Sequence, residues 1–563
     1  MKLALRVLKK LCDPAVAIVV AAGYVVLLLS TTDDLGYARD EGFYFVSART
    51  YGKWFELLAT SPHEALAPAT VDKFWSVNSE HPALMKSLFA LSNQYLQEKH
   101  HFFSMTGTSF RFPAMVLSGL LLGVVYLWAR RLHGRLAGLV AALSLGFFPR
   151  VFFNAHLACF DAPIMALFAI TAFSYVESLR KGGVVLPLVT GVAFGLALDT
   201  KHNAWFLPIA GVAHLVGTAA LALVLRAPLW PATKRILANL AAMGVLGPLV
   251  FYALWPWIWH DTSARLHAYV QFHVGHEYYN MEFLGENYWQ PPMPRAYAWV
   301  MTLGTVPGIA LLLFGVGVVH HVLRAVRVVR RRDAAAIDSL RETLFVGLCL
   351  GACYAPWLST NTPIFGGTKH WLPAYPFLVL FAATGFSRVR RGLVQLAAHV
   401  RSRKSPRLVP GAGLALGVAL AVVAVAAPMR EALHSHPWGL SAYTPLVGGA
   451  PGAATLGLNR TFWGYTTGSV EGDLNRDVRP GGTVYIHDTA WQSWQMFQED
   501  GRIRKDIVAV GAVEESEAAL YHHEMHMEGQ EYQAWVAYGT DAPAMIAGLD
   551  GVPVVWVYER PRR

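Results

Sequence analysis

A polytopic all-α membrane domain followed by a small C-terminal α/β or β-rich domain is the fold class this sequence predicts. Three observations carry that expectation. The chain is 54% hydrophobic and only 15% charged over 563 residues, with a mean hydropathy of +0.35, whereas a soluble domain needs a charged surface around a limited core. Apolar runs near the ~18–20 residues that span a bilayer recur through the first three quarters. Lys and Arg collect in every second short loop, the pattern of cytoplasmic loops. The net charge of +10 is therefore a topology signal, and nothing argues for nucleic acid.

The elements follow in order. MKLALRVLKK precedes the first apolar run, and no small-residue cleavage site follows Leu29, so this run reads as an uncleaved helix. About eleven candidate spans follow from hydropathy, at 14–30, 112–129, 136–152, 162–178, 184–198, 204–225, 237–258, 296–322, 342–358, 370–387 and 409–428. The runs 136–152 and 184–198 are short, as tilted or partly re-entrant segments are. Basic residues fall on alternate loops: Lys2, Arg6, Lys9 and Lys10; Arg130, Arg131 and Arg135; Arg180 and Lys181; Arg226, Lys234 and Arg235; RAVRVVRRR at 324–332; and the loop 388–407. The expected orientation in an inner cell membrane puts the N-terminus in the cytoplasm and the C-terminal domain outside. The expected domains are a transmembrane unit at 1–428, with its first extracytoplasmic loop at 31–111, and a C-terminal unit at 429–563. Strand-like alternation in TVYIHDTAWQSW, DIVAVGAV and VPVVWVYERP marks the second, behind the Gly- and Pro-rich 445–457. The four cysteines form no CxxC pair, and Cys349 and Cys353 read as packing on one helix face.

Polar chemistry gathers on the outer loops. ARDEGFYF (38–45) sets Asp40 and Glu41 side by side; NSEHPALMK (78–86) adds Glu80, His81 and Lys86. HLACFDAP (156–163) adds Asp161, LDTKHNAW (198–205) adds Lys201 and His202, and FGGTKHWLP (365–373) adds Lys369 and His370. A carboxylate there can act as general base, and Lys and His can hold a phosphate by charge-assisted hydrogen bonds. Each has a plain alternative: Asp40 and Asp161 as helix caps, Glu41 facing water or Arg39, Glu80 capping the next helix, and the lysines as interfacial anchors. His273, His276 and Glu277, and in the tail His522, His523, Glu524 and His526, have metal-like spacing, but loop hydrogen bonding and surface histidines are the preferred readings. LWPWIWH (254–260) reads as an interfacial aromatic belt.

The ordered set of motifs resembles the GT-C membrane glycosyltransferases, in particular the protein O-mannosyltransferase-like group (glycosyltransferase family 39) and the related lipid-A aminoarabinose transferases. Asp40-Glu41 resembles their acidic motif after the first span, and His81-Pro82-Ala83-Leu84-Met85-Lys86 their HPPLGK-type motif. Arg111-Phe112-Pro113, Phe160-Asp161-Ala162-Pro163, the Thr200-Lys201-His202 turn through Pro208, and Trp289 to Pro307 resemble further segments, so the likeness covers about 1–390. The chain differs from the aminoarabinose branch at Phe43 and His81, where that branch carries Arg and Lys. The resemblance implies a GT-C-type membrane domain and an enzyme that moves a sugar from a polyprenyl-phosphate donor to a lipid, glycan or protein acceptor by inverting displacement. It implies Asp40, with Glu41, as the catalytic acids. The residues at 80, 81, 86, 161, 201, 202, 369 and 370 would hold the donor phosphate or substrate. No cofactor is certain; a divalent ion stays open, since oligosaccharyltransferases use one and the mannosyltransferase-like group generally does not. The alternative class is a polytopic transporter or lipid flippase, against which stand the clean centres of the apolar runs.

Overall fold

In the computed structural model, residues 2–402 and 412–561 are described, with side chains over 12–399 and 413–561. Residues 403–411 of the last basic loop, and the side chains of Lys2, Arg6, Lys9 and Lys10, lie outside the described residues.

Each apolar run forms helix, and the chain is a multi-pass membrane protein. Among the described residues, eight helices are long and apolar enough to cross a membrane, or nine if one bent pair counts as a single crossing. The hydropathy reading expects about eleven. The run at 184–198 becomes Val185–Leu198, at 14 residues short of a bilayer. The run at 342–358 becomes Ile337–Tyr354, whose first half carries Asp338, Arg341 and Glu342. The run at 136–152 becomes Arg135–Gly146 and Pro149–His156, bent by 67°. Phe148, held extended (φ −66°, ψ 124°) ahead of Pro149, makes the break, because a residue preceding proline avoids the α region. The run at 296–322 breaks in the same way at Val306-Pro307, separating Tyr297–Thr305 from Gly308–Arg331.

Asp161–Lys181 and Gly367–His399 form the centre of the bundle, with 83% and 89% of their apolar windows buried, against 17–33% for five outer spans. The helices Gly308–Arg331 and Tyr375–Ser402 touch backbone to backbone. A Cβ on Gly317 would lie 2.0 Å from the Phe381 carbonyl oxygen, and one on Gly385 would lie 1.9 Å from that of Leu313. Small residues at such crossings let helices gain dispersion contact where the hydrophobic effect gives none.

The first loop is helical: Arg39–Thr60, Pro62–Ala65, Pro68–Trp75 and Leu84–Ser92. Beyond the last span the chain builds a five-stranded sheet from β3 (Thr483–Tyr485), β4 (Val508–Val510), β5 (Ala518–His522), β6 (Met545–Leu549) and β7 (Val552–Glu559), in the order β4-β3-β5-β7-β6. β3 runs parallel to β4 and β5, and β7 antiparallel to β5 and β6. A separate hairpin pairs β1 (Met281–Phe283) with β2 (Glu286–Tyr288). The expected architecture, a polytopic helical domain with a small C-terminal sheet, is the observed one.

The sheet region is bonded to the first loop. Ser493 Oγ donates to the Ala38 carbonyl at 2.9 Å, and Arg502 Nη1 to the Leu35 carbonyl at 2.6 Å. The Asp500 carboxylate accepts from the Thr106 and Gly107 amides at 2.6 and 3.1 Å, and from the Tyr37 hydroxyl. Gly36 and Gly468 meet so closely that a Cβ on Gly36 would lie 2.0 Å from the Tyr465 carbonyl oxygen. Leu35, Tyr37, Trp463, Phe497 and Val555 belong to one shared apolar core.

Candidate active site

Between the first loop, the outer helix ends and the sheet region lies a cavity of about 500 Å³. Asp40, Glu80, His81, Asp161, Lys201, His202, Lys369 and His370 all line it. The structure therefore brings together eight of the expected residues from five separate segments.

Asp40 enters from the first turn of Arg39–Thr60, and its carboxylate lies 3.7 Å from Lys369 Nζ with a quarter of its side-chain surface still open. Lys369 is carried by the 3₁₀ turn Gly367–Ala374, with its ammonium 4.3 Å over the Trp463 ring and 5.2 Å over Phe365. Asp161, first residue of its helix, pairs with Lys201 at 2.5 Å, and both are nearly buried. Glu80 accepts from Asn78 Nδ2 at 2.5 Å, and its backbone carbonyl accepts from His273 Nε2 at 3.1 Å. His81 packs among Tyr44, Phe160 and Phe272, and burial pushes its imidazole well below the usual range. Its Nδ1 and that of His202 are buried without a partner among the described residues. His370 Nε2 bonds the Phe365 backbone, and its ring stacks on Trp357 at 4.7 Å.

Two expected residues do not line the cavity. Glu41 is fully buried. Its Oε1 accepts from Arg111 Nε (2.8 Å) and the Ala158 amide (2.9 Å), and its Oε2 from Arg111 Nη2 (2.8 Å) and the Ala38 amide (2.9 Å). Four donors leave no free lone pair facing substrate, and the partner is Arg111 rather than Arg39, which reaches Asp488 at 3.1 Å. Lys86 is equally buried and donates to the Asn78 and His81 carbonyls at 2.6 and 2.9 Å, holding the 78–81 loop; burial lowers its ammonium to about 7.

The tail supplies wall residues that no sequence pattern assigned to this cavity. Glu524 and His526 line it, and burial with Asp488 nearby pushes the Glu524 carboxyl well up. His522 sits apart, bonded to Thr466 Oγ1 at 2.7 Å, and His523 packs on Trp556. His273 and His276 line the cavity too, His276 stacked on Phe365 at 4.6 Å. Among the described residues no three His, Cys, Asp or Glu side chains converge in metal-ligating geometry. Asp40 and Asp161 each face an ammonium, a donor set that does not suit a divalent cation.

Residues 99–246 match the family model of the dolichyl-phosphate-mannose-protein mannosyltransferases. No curated protein sequence matches the chain. Among solved structures, the archaeal oligosaccharyltransferase AglB from Archaeoglobus fulgidus, in complex with an inhibitory peptide and a dolichol-phosphate, is similar with a TM-score of 0.51 at 10% identity, over 95% of this chain and 72% of that one. ArnT from Cupriavidus metallidurans, bound to undecaprenyl phosphate, gives a TM-score of 0.44 at 16% identity, over 96% and 97%. The chain thus has the GT-C glycosyltransferase fold, and within it residues 99–246 match the mannosyltransferase family model.

Proposed function

We propose that the protein moves a sugar from a polyprenyl monophosphate to an acceptor on the extracytoplasmic face, by a single inverting displacement. The observation that carries this reading is the 3.7 Å pairing of Asp40 with Lys369 inside the cavity. A base and a phosphate-neutralising cation stand side by side, as such a displacement needs. The acceptor oxygen attacks the anomeric carbon while its proton passes to the Asp40 carboxylate. The bond from that carbon to the phosphate oxygen breaks, and polyprenyl monophosphate leaves with the electron pair, its added charge met by Lys369 and Lys201. Asp161 orients Lys201. The unpartnered nitrogens of His81 and His202 serve phosphate or sugar hydroxyls.

In this reading Glu41 is a positioning residue that fixes the first turn on which Asp40 rides, and Lys86 fixes the loop that carries Glu80 and His81. Residues 429–563 form the extracytoplasmic unit that roofs the cavity, and the N-terminus is cytoplasmic, as the alternating basic loops support. The neighbours' bound undecaprenyl phosphate and dolichol-phosphate agree with a lipid-phosphate donor. The test is reconstitution in liposomes with a panel of radiolabelled polyprenyl-phosphate sugars, comparing wild type with Asp40→Asn. Label should leave the lipid with wild type, and about 100-fold or more slowly with the variant. Equal transfer by an Asp40→Asn protein that melts like wild type would overturn the mechanism.

A further inference from the structure

A smaller chamber opens beside the main cavity. It has about 30 Å³ of room and shares Asn280, Gly366, Phe462 and Glu524 with the larger space. Arg150 lines it. This arginine is only 2% exposed, forms no ion pair among the described residues, and leaves both Nε and Nη2 without a partner there. Those two nitrogens form the edge of the guanidinium that takes a carboxylate in two parallel hydrogen bonds. Arg111 shows the occupied form in the same molecule, with Nε and Nη2 each 2.8 Å from one oxygen of Glu41. A buried cation is tolerated only when paired, and among the described residues the Arg150 guanidinium meets Tyr443, its ring centre 5.2 Å away, with no carboxylate paired to it.

We propose that this chamber seats a carboxylate borne by the transferred sugar, gripped by the open edge of Arg150, so that the donor is a lipid-linked acidic sugar of the uronic-acid class. The proposal rests on the glycosyltransferase reading above. The chamber lies across Gly366 and Phe462 from the main space, and Gly366 packs against the Lys369 side chain. A sugar whose phosphate meets Lys369 therefore extends toward Arg150. The room suits a planar carboxylate, since a water-sized group takes about 10–15 Å³. The other walls agree. Asn280 Oδ1 and Asn459 Oδ1 are buried without partners and accept from sugar hydroxyls. Burial pushes the carboxyls of Glu282 and Glu524 up from the usual carboxylate range, and Glu282 Oε2 accepts from the Met525 amide at 3.2 Å.

The test uses the full chain in nanodiscs. Polyprenyl-phosphate glucuronate, its methyl ester and polyprenyl-phosphate glucose compete against radiolabelled polyprenyl phosphate. Wild type should bind the glucuronate at least about tenfold more tightly than either neutral donor. Arg150→Gln should bind all three alike while holding polyprenyl phosphate as wild type does, and Asp40→Asn should keep the discrimination. Wild type that treats the acid and its methyl ester equally overturns the proposal, whatever the variant does, and means the chamber holds only water. That result leaves the glycosyltransferase reading standing. Failure to bind any lipid-linked sugar overturns both.

Discussion

Two adjacent acids with opposite duties should separate cleanly under substitution. In Glu41→Gln the side chain keeps its length, but one carboxylate oxygen becomes an amide nitrogen. Each oxygen of Glu41 now accepts from one arm of Arg111 and one backbone amide. Either placement of the new amide therefore points N–H at two donors and leaves the Arg111 charge uncompensated in a site 1% exposed. Removing one partner of a buried ion pair costs about 3–5 kcal/mol, and the orphaned donors keep the cost at the upper end. Asp40→Asn removes a partly open carboxylate that lies 3.7 Å from its ammonium partner and accepts none of the four bonds that hold Glu41, so it costs less stability, yet it removes the proposed base. Thermal unfolding in detergent, run beside sugar transfer, reads both variants. Glu41→Gln should melt well below wild type, and Asp40→Asn should melt with it while losing transfer. An Asp40→Asn protein that melts early and turns over, beside a Glu41→Gln protein that melts normally and does not, would reverse the assignment.

Other perturbations have equally definite outcomes. Lys369→Met should weaken polyprenyl-phosphate binding by about tenfold or more through loss of a charge-assisted contact, measured by radioligand competition, and unchanged binding would count against its role. Lys201→Met strands the nearly buried Asp161 and should lower the melting midpoint as well as binding, a combination Lys369→Met should not show. Gly385→Ala drives a methyl to 1.9 Å from the Leu313 carbonyl and should lower thermal stability; Gly392→Ala on the same helix, with open space around it, should not. For Lys86 the sign is fixed by burial, which lowers its folded-state value from 10.5 to about 7. Below about pH 7 the ammonium is charged folded and unfolded, so the burial penalty is fully present. Between about 7 and 10.5 the unfolded chain keeps a proton the folded one has released, so stability rises with pH. Melting midpoints of wild type should therefore climb from pH 7 to 9.5 relative to Lys86→Met, and parallel curves would refute it.

The cavity residues were legible because each sits where an apolar run meets a short polar turn. Asp161, Lys201 and Lys369 occupy such junctions, and alternation of basic loops assigned those junctions to one side. What pattern alone did not resolve was direction. Neighbouring residues on a helix point about 100° apart, so Asp40 looks into the cavity while Glu41 turns to Arg111. Lys86, five residues beyond His81, folds back to hold that residue's carbonyl. The helices depart from the hydropathy runs where proline or charge interrupts an apolar run, as at Pro149, Pro307 and Asp338. Arg150 carried a usable signal, since a charge inside an apolar run marks a functional position by default. Trp463 and Glu524 carried none, because their proximity to Asp40 and Lys369 depends on how the tail folds back.

That fold-back sets an order of assembly. The Arg502 bond to Leu35 joins residues 467 positions apart, and the glycine contact beneath it leaves no space for an adapter. The Asp40 loop is synthesised long before the sheet region and lacks the contacts of Ser493 and Arg502 until that region is made. The loop that carries Asp40 therefore reaches its final packing only once the sheet region has folded against it.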